Sequence, residues 1–378
     1  MTAAASVTPA PAFARLEQLA LRDFRNFARA DVVLPAAGVV LVGDNGHGKT
    51  NLLEAVAYLG TLRSSRNARD RDLVRHGAPA AHIRAAVTTD TEREITIGID
   101  RTSGKKRITI DGVDVPRQTD ALGTLPSVAW APSDVALVAG APGERRRYVD
   151  VMLALTSRRY LQALRAYRAS LERRNAALRD AARRGTDPAS VAAWEPALAQ
   201  HGATLVAERA AWIREHAAEF ARLCAAIGER ASASIAYACD VADAGDVARA
   251  IAERLAHDRA RDVQRGVTST GPHRDDLVIA MDERDVRTFG SAGQQRTAAI
   301  ALRLLEARTL RAASHRHPVL LLDDPFAELD ADRSARALAL LESEAYGQVL
   351  LAVPREHEIP AHFRVLERWR VRDGEVQT

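Results

Sequence analysis

A phosphate-binding loop constrains this chain more than any other feature of its sequence. Residues 43–50 read GDNGHGKT and match the pattern G-x-x-x-x-G-K-[ST] in full. An apolar run at residues 39–42 precedes the loop, and an apolar-periodic segment at residues 51–56 follows it. This is the strand–loop–helix context that the motif requires. The sequence therefore predicts an α/β core that binds a nucleoside triphosphate.

Each part of the loop has a chemical role. Glycines let backbone N–H groups close around phosphates, and the helix N-terminus adds its positive dipole. We expect Lys49 to reach the β- and γ-phosphates and the Thr50 hydroxyl to bind Mg²⁺. Lysine occurs elsewhere only at Lys105 and Lys106, so a compact ammonium is kept where a planar guanidinium would fit badly. The residues expected to contact ATP here are Gly43, Asp44, Asn45, Gly46, His47, Gly48, Lys49, Thr50 and Asn51.

Composition sets wide limits. A chain of 378 residues with 47% hydrophobic content can bury a sizeable core, in one large domain or two lobes. Its net charge of +4 is compatible with an anionic partner such as nucleic acid, yet is ordinary for this length. There is no run of 18 apolar residues, so no membrane-spanning helix is expected. Residues 1–12 lack signal-peptide features and are predicted to be a disordered tail of a cytoplasmic protein.

Hydrophobic periodicity divides the rest of the chain. Residues 13–130 have strand patterns around the loop and predict an antiparallel sheet over residues 80–115. Residues 131–230 have helical spacing with many Arg and Ala residues, broken at residues 185–188. Residues 231–378 return to mixed strands and helices. The expected fold is an α/β nucleotide-binding lobe formed from both ends of the chain, with an inserted helical lobe.

A second pair of candidate residues follows an apolar run. Residues 318–324 read PVLLLDD. In P-loop proteins an Asp at such a strand end holds Mg²⁺, which is the role expected of Asp323. Asp324 would orient or deprotonate the attacking water. The alternative is that both aspartates merely cap a strand and begin a turn.

A small turn, Ser291, Gly293 and Gln294, precedes a long apolar-periodic helix. Such a turn offers backbone N–H groups and a hydroxyl to an anion, although an ordinary N-cap serine would look the same. The order of phosphate loop, Ser-x-Gly-Gln turn and Asp-Asp strand is that of the ABC-type ATPases. There the turn faces the γ-phosphate held by a second subunit, and Asp330 resembles the loop that links the two sites.

Several segments together resemble the RecF family of bacterial recombinational repair proteins. They span residues 16–338 in the family's order, and they are residues 21–27 (LRDFRNF), 43–55 (GDNGHGKTNLLEA), 63–70 (RSSRNARD), 132–150, 270–277 (TGPHRDDL) and 322–330 (LDDPFAELD). The resemblance implies an ABC-type P-loop ATPase head related to SMC proteins, with a mixed sheet, an antiparallel β subdomain and no long coiled coil. Its catalytic residues would be Asp324, Lys49 and Ser291.

The resemblance also implies a function. The ATP-bound form would be a homodimer that clamps DNA near single-strand gaps, and slow, DNA-stimulated ATP hydrolysis would release it. With RecO and RecR it would help to load RecA, in gap repair, replication restart and the SOS response. Two departures stand out. Residues 350–354 (LLAVP) lack the polar switch residue of ABC-type proteins, with His357 the nearest substitute, and His47 replaces the family's frequent Gln. The missing switch residue bears on the rate of hydrolysis more than on nucleotide binding.

Basic residues are the candidates for DNA contact. With only 4% aromatic residues, we expect recognition of the phosphate backbone instead of stacking on bases. The alternative is that these charges form solvated faces. The candidate residues are Arg66, Arg69, Arg71, Lys105, Lys106, Arg146 and Arg147.

Three other functions fit parts of the pattern. A transporter ATPase subunit would carry the phosphate loop, but this chain is long for one and lacks the Leu-Ser-Gly-Gly-Gln form of the turn. A small-molecule P-loop kinase would treat Ser291 as a plain helix cap and would not require an ATP-dependent dimer. A structural SMC relative that does not hydrolyse ATP would fit the missing switch residue.

Overall fold

The computed structural model describes residues 12–184, 189–326, 329–344 and 346–378. Its helices are α1 (Lys49–Thr61), α2 (Ala136–Ala139), α3 (Pro142–Thr156), α4 (Arg158–Arg184), α5 (Ala189–Ala192), α6 (Glu195–Ile227), α7 (Val247–Arg265), α8 (Val286–Phe289), α9 (Ala292–Ser314) and α10 (Ala331–Ser343). Short 3-10 turns lie at Asp70–Leu73, Gln118–Ala121, Pro132–Val135, Glu356–Glu358 and Ala361–Val365.

The strands of the described residues follow the same chain order. They are β1 (Ala12–Phe13), β2 (Arg15–Phe24), β3 (Phe27–Val33), β4 (Gly38–Val42), β5 (Ala80–Thr88), β6 (Glu92–Asp100), β7 (Lys106–Ile110), β8 (Val113–Asp114), β9 (Ser127–Trp130), β10 (Ala233–Ala238), β11 (Asp276–Met281), β12 (Arg284–Asp285), β13 (Arg316–His317), β14 (Val319–Asp323), β15 (Val349–Val353), β16 (Glu367–Arg372) and β17 (Glu375–Gln377).

The chain forms two compact units. The first unit combines the N-terminal part up to Ser133 with Glu306–Thr378, and the second unit is Asp134–Leu305. None of the helices in the described ranges is long and apolar enough to cross a membrane.

The first unit contains two six-stranded sheets. One has the order β17-β16-β4-β15-β14-β9 and is parallel except for its β16–β17 hairpin; the other, β3-β2-β5-β6-β7-β8, is antiparallel. Strands β4, β14 and β15 are apolar runs with almost every residue buried, as expected where a parallel sheet is covered on both faces. Helix α1 packs on β9, β14 and β15.

The register of the parallel strands places the candidate residues at one edge. Ala352 of β15 pairs with Leu41 of β4 on one side and with Asp323 of β14 on the other. Because parallel strands end at the same edge of a sheet, the phosphate loop after β4 and the two aspartates at the end of β14 lie next to each other. This edge is where α/β sheets place their ligands.

The second unit is built on helices. Helix α6 packs against α4, α7 and β10, and α3 packs against α4 and β11. Strands β10, β11 and β12 form a small antiparallel sheet. The segment before β11 is tightly placed, since Gly271 has a φ of 125° and a Cβ there would lie 2.6 Å from the Tyr167 hydroxyl oxygen. Only glycine fits such a position without strain.

Buried ion pairs hold the second unit together. Arg174, which is 0% exposed, donates to Asp262 at 2.8 Å and to Glu195 at 3.0 Å. Arg145 makes a bidentate pair with Asp276 at 2.7–2.8 Å. A buried arginine requires such partners because its charge is costly to remove from water. The arginine runs of this part of the chain are therefore partly internal and are not simply a solvated face.

His273 is held in one protonation state within this unit. Its Nε2 lies 3.0 Å from the Thr268 carbonyl oxygen, which can only accept, so Nε2 carries the proton. Its Nδ1 then accepts from the Tyr167 hydroxyl at 2.6 Å. Burial, with smaller contributions from Arg274 and Arg146, lowers the pKa of His273 to about 4.

This lowered pKa predicts a pH dependence of stability. Between the unfolded pKa of 6.5 and the folded pKa of about 4, the unfolded chain binds the His273 proton and the folded chain does not. The free energy of unfolding should therefore fall as the pH falls from about 6.5 to about 4. In urea unfolding at a series of pH values, His273→Gln should reduce the slope of the unfolding free energy against pH. The reduction should correspond to at most one bound proton. The exposed His76→Gln is the control; equal slopes for both variants would contradict the prediction.

Most of the predicted elements are confirmed. The loop strand and helix, the antiparallel sheet over residues 80–115 and the strand–helix–strand order of the last third are present. Strands β9, β16 and β17 were not predicted, because β9 is short and β16 (ERWRVR) is rich in charge. The predicted break at residues 185–188 lies outside the described residues. So does the predicted tail at residues 1–12, apart from Ala12, which begins β1.

The structure divides the chain differently from the expectation of a helical lobe at residues 131–230. The second unit continues to Leu305, because β10 pairs with β11 and packs against α6. Ser291, expected in the C-terminal part of the ATPase lobe at residues 231–378, therefore belongs to the second unit.

Candidate functional site

The phosphate loop has the backbone that its glycines allow. Gly46 and Gly48 have φ values of 86° and 118°, in the left-handed region. A Cβ on Gly48 would lie 2.7 Å from the Asn26 side chain, and one on Gly43 would lie 2.2 Å from the Val371 carbonyl oxygen. The loop is therefore sharply turned, and it is closely packed on the side that faces Asn26 and Val371. Asp44 and Asn45 complete it before Lys49 begins α1.

The Lys49 ammonium lies within the loop. Its Nζ donates to the carbonyl oxygens of Gly43 at 2.5 Å and Asp44 at 3.0 Å, and the residue is only 6% exposed. Burial lowers the pKa of Lys49, while the nearby carboxylates of Asp323 and Asp324 act in the opposite direction. A buried cation held by backbone carbonyl groups is suited to exchange these partners for phosphate oxygens.

Thr50 and Asp323 meet across the sheet edge. The Thr50 hydroxyl donates to Asp323 Oδ2 at 2.8 Å, although the two residues are 273 positions apart in the chain. A hydroxyl and a carboxylate oxygen are the hard donors that Mg²⁺ prefers, together with water and phosphate oxygens. The side chains present therefore fit Mg²⁺, and this is the pair expected from the sequence.

Asp324 follows with a constrained backbone. Its φ is 48°, and its N–H donates to the Ala352 carbonyl oxygen at 2.9 Å. Burial raises the pKa of the Asp324 carboxyl, and the carboxylates of Glu358 and Asp323 raise it further, against Lys49. A carboxylate with a raised pKa is a stronger base, as a group that accepts a proton from water requires.

Sequence reasoning missed Glu358. It lies in the short turn Glu356–Glu358 after β15, close enough to influence the pKa values of both Lys49 and Asp324. His357, the expected substitute for the switch residue, has a side chain 73% exposed and lies 3.9 Å from the Glu358 carboxylate. The signal that could have found Glu358 is its position just past a strand that ends at the candidate edge.

A buried network supports the loop helix. Glu54 accepts two bonds from Arg25, both at 2.9 Å, and one from Ser64 at 2.5 Å. Arg66 donates to Asn51 at 2.9 Å. Sequence reasoning included Arg25 and Ser64 in family motifs but gave them no role. Their role here is to fasten the loop around Arg66 to helix α1.

The Ser291 turn forms a capping box at the start of α9. The Ser291 hydroxyl oxygen accepts from the Gln294 N–H at 3.2 Å, and the Gln294 side chain accepts from the Ser291 N–H at 3.0 Å. This is the helix-cap geometry of the alternative interpretation. Because the hydroxyl acts only as an acceptor in it, its proton remains available to donate to an anion. Ser291, Gly293 and Gln294 belong to the second unit, and the residues at the sheet edge belong to the first.

Asp330 is also a helix cap. Its Oδ1 accepts from the Arg333 N–H at 2.8 Å at the start of α10. The two residues before Leu329 in the predicted linking loop, Ala327 and Glu328, lie outside the described residues.

The DNA candidates of the first unit divide into two groups. Lys106 is internal, because its Nζ donates to the Leu62 carbonyl oxygen at 2.7 Å and pairs with Asp70 at 3.1 Å. The expectation that Lys106 contacts DNA is therefore corrected, because this ammonium caps the end of α1. The side chains of Arg69, Arg71 and Lys105 are exposed, as is Arg66 despite its bond to Asn51.

The candidates of the second unit are engaged with the protein. Arg146 is half-buried and donates to the Asp275 carbonyl oxygen at 2.6 Å, which argues against a free phosphate contact. Arg147 is half-buried and has protein partners as well. The exposed basic residues of the first unit are the better candidates.

Comparison with known proteins agrees with this geometry. The family model for the RecF/RecN/SMC N terminal domain matches residues 15–367. A DNA replication and repair protein RecF from Frankia alni is 38% identical over 377 residues, which cover 96% of this chain and 98% of that protein. Its counterpart from Roseiflexus castenholzii is 37% identical over 388 residues, which cover 95% and 98%.

Solved structures give the same result. The recombination mediator protein RecF-ATP of the RecFOR pathway superposes with a TM-score of 0.89 at 25% identity, covering 98% of each chain. An Smc head domain from Pyrococcus furiosus has a TM-score of 0.53 at 16% identity, covering 97% of this chain and 96% of that one, and shares the fold. The predicted ABC-type ATPase head is thus confirmed. The family match spans nearly the whole chain, and this protein belongs to the RecF family of SMC-like ATPases.

Proposed function

We propose that this protein is an ATP-dependent DNA-binding protein of bacterial recombinational repair. The observation that carries the proposal is the assembly of Lys49, Thr50, Asp323 and Asp324 at one sheet edge. Similarity to RecF proteins described as DNA replication and repair proteins supports the repair role. Similarity to a structure described as RecF-ATP supports ATP as the nucleotide.

The residues divide the work of hydrolysis. Backbone N–H groups of the loop and the Lys49 ammonium bind the phosphates. Mg²⁺, held by Thr50 and Asp323, would neutralise phosphate charge when bound. Asp324 orients the attacking water and accepts its proton. The missing switch residue at the end of β15 fits slow hydrolysis. Slow hydrolysis would set how long the ATP-bound protein stays on DNA before it is released.

Dimerisation would couple ATP binding to DNA binding. The Ser291 hydroxyl, with its proton available, would donate to the γ-phosphate bound by a second copy of the chain, and Asp330 would lie near the link between the two sites. The dimer would align the exposed basic residues Arg66, Arg69 and Arg71 of both copies on DNA. RecO and RecR would act with this clamp at single-strand gaps in the cytoplasm, and RecA would be loaded there.

The DNA-binding half of the proposal predicts salt-dependent, ATP-dependent binding. Fluorescence anisotropy of a labelled gapped duplex should show tighter binding with ATP than with ADP at matched salt. The logarithm of the affinity should fall linearly with the logarithm of salt concentration, because phosphate contacts release counterions. Equal affinity with ATP and ADP would contradict the coupling. No binding at low salt would contradict the DNA-binding function itself.

A further inference from the structure

The C-terminal hairpin lies against the phosphate loop. Strand β16 pairs in parallel with β4, with Arg370 opposite Val42 at the entry to the loop. The turn between β16 and β17 then contacts His47. The Asp373 N–H donates to His47 Nδ1 at 3.0 Å, and the Gly374 N–H donates to the His47 carbonyl oxygen at 3.0 Å.

A second donor reaches the same carbonyl group from a different turn. Asn26, in the turn between β2 and β3, donates through Nδ2 to the His47 carbonyl oxygen at 2.9 Å. Its Oδ1 accepts from Asn51 of α1 at 2.8 Å, which fixes the orientation of the Asn26 amide. Two donors occupy both lone pairs of the His47 oxygen. This peptide group is thus held from behind by two segments distant from it in sequence.

Holding this carbonyl group also aims an N–H group. The peptide between His47 and Gly48 is planar, so its N–H points opposite to its C=O. With the carbonyl bonded to Asn26 and Gly374 behind the loop, the Gly48 N–H points to the opposite side. In phosphate loops such N–H groups form the cradle for the phosphates.

We propose that Asn26 and the Asp373–Gly374 turn are positioning residues of the nucleotide site, which fix the His47–Gly48 peptide for phosphate binding. The inference rests on the proposed ATP-binding function and adds the C-terminal hairpin to the machinery of the site. It also gives His47 a role. Its ring accepts a hydrogen bond from the Asp373 N–H, so this side chain helps to fix the loop while the backbone binds the phosphates.

The turn provides its own test and its own control. Gly374 has a φ of 79°, and a Cβ there would lie 2.4 Å from the Asn26 carbonyl oxygen. The hairpin turn Asp111–Gly112 has nearly the same backbone, with φ values of 52° and 79° against 50° and 79° for Asp373 and Gly374. A Cβ on Gly112 would meet nothing within 4 Å. Alanine at either glycine therefore causes the same backbone strain, but only Gly374→Ala displaces Asn26.

The experiment measures ATP and ADP affinity of the full chain by isothermal titration, and hydrolysis at saturating ATP. Gly374→Ala should weaken both nucleotides about tenfold, while hydrolysis at saturation changes less than twofold. Gly112→Ala should leave both affinities unchanged. Gly374→Ala, which adds a steric overlap to the shared strain, should lower the unfolding midpoint more than Gly112→Ala; titrations run well below both midpoints therefore compare binding between folded variants.

A second variant covers the case in which Gly374→Ala does not fold. Asn26→Asp keeps the shape and the oxygen that accepts from Asn51 but removes the donor to His47, and should weaken both nucleotides about 5- to 20-fold. If wild-type protein binds ATP and both variants bind it equally well, the positioning role is wrong. If wild-type protein does not bind ATP, the proposed function fails instead.

Discussion

Asp324→Asn is expected to lower ATP hydrolysis about 10²-fold or more while ATP binding stays within about twofold of wild type. The amide has the same shape, and asparagine tolerates the left-handed backbone found at this position, where φ is 48°. It cannot take a proton from water. The substitution therefore removes the proposed base from a site that otherwise keeps its phosphate contacts.

Single-turnover hydrolysis and nucleotide titration together check this result. The exposed Asp332→Asn makes the same chemical change in the first turn of α10 and should leave hydrolysis unchanged. Wild-type turnover in Asp324→Asn would remove Asp324 from the mechanism. Loss of ATP binding in the same variant would instead show that the Asp324 carboxylate is needed to assemble the site.

Lys49→Met is expected to weaken ATP binding about 10- to 100-fold and to reduce ATP-dependent DNA binding strongly at nucleotide concentrations that just saturate wild type. Methionine fills much of the same space but cannot donate to phosphate oxygens. Because the ammonium is buried and bonded to two loop carbonyl groups, its removal acts directly on the phosphate cradle.

The measurement is anisotropy of a labelled duplex in ATP at fixed salt. Lys49→Arg is the informative comparison, since it keeps the charge but carries a planar guanidinium that does not fit the same carbonyl pair. We expect its ATP affinity to lie between those of wild type and Lys49→Met. If Lys49→Met bound duplex DNA as tightly as wild type in ATP, the coupling of nucleotide to DNA would be wrong.

The nucleotide edge could be predicted because its chemistry is local. A phosphate loop needs glycines, a lysine and a hydroxyl in consecutive positions, and the Asp-Asp pair ends an apolar run. Each is readable without knowing the fold. The pairing of Thr50 with Asp323 at 2.8 Å then follows from parallel strands ending together.

The remaining features depend on contacts between distant parts of the chain. Lys106 resembles Lys105 in sequence, yet only Lys106 reaches Asp70 and the end of α1. Arg145 and Arg174 belong to charge runs that look solvated, but their partners, Asp276 and Asp262, are about 90 to 130 positions away. A residue's charge predicts that it needs a partner or water; it does not predict which.

The same limit explains the C-terminal hairpin. Nothing local in Asp373 or Gly374 distinguishes this turn from the turn at Asp111 and Gly112, and their backbones are nearly equal. Only the pairing of β16 with β4 brings one of them behind the phosphate loop.

The mass of the protein in solution tests the central claim most directly. Light scattering would be measured without nucleotide, with ATP and with ADP, each with and without a gapped duplex. A dimer seen only with ATP, and strengthened by DNA, is the predicted result and would place Ser291 against a partner's nucleotide. A monomer under every condition would contradict the clamp, leaving a P-loop ATPase in which the Ser291 turn is only a helix cap.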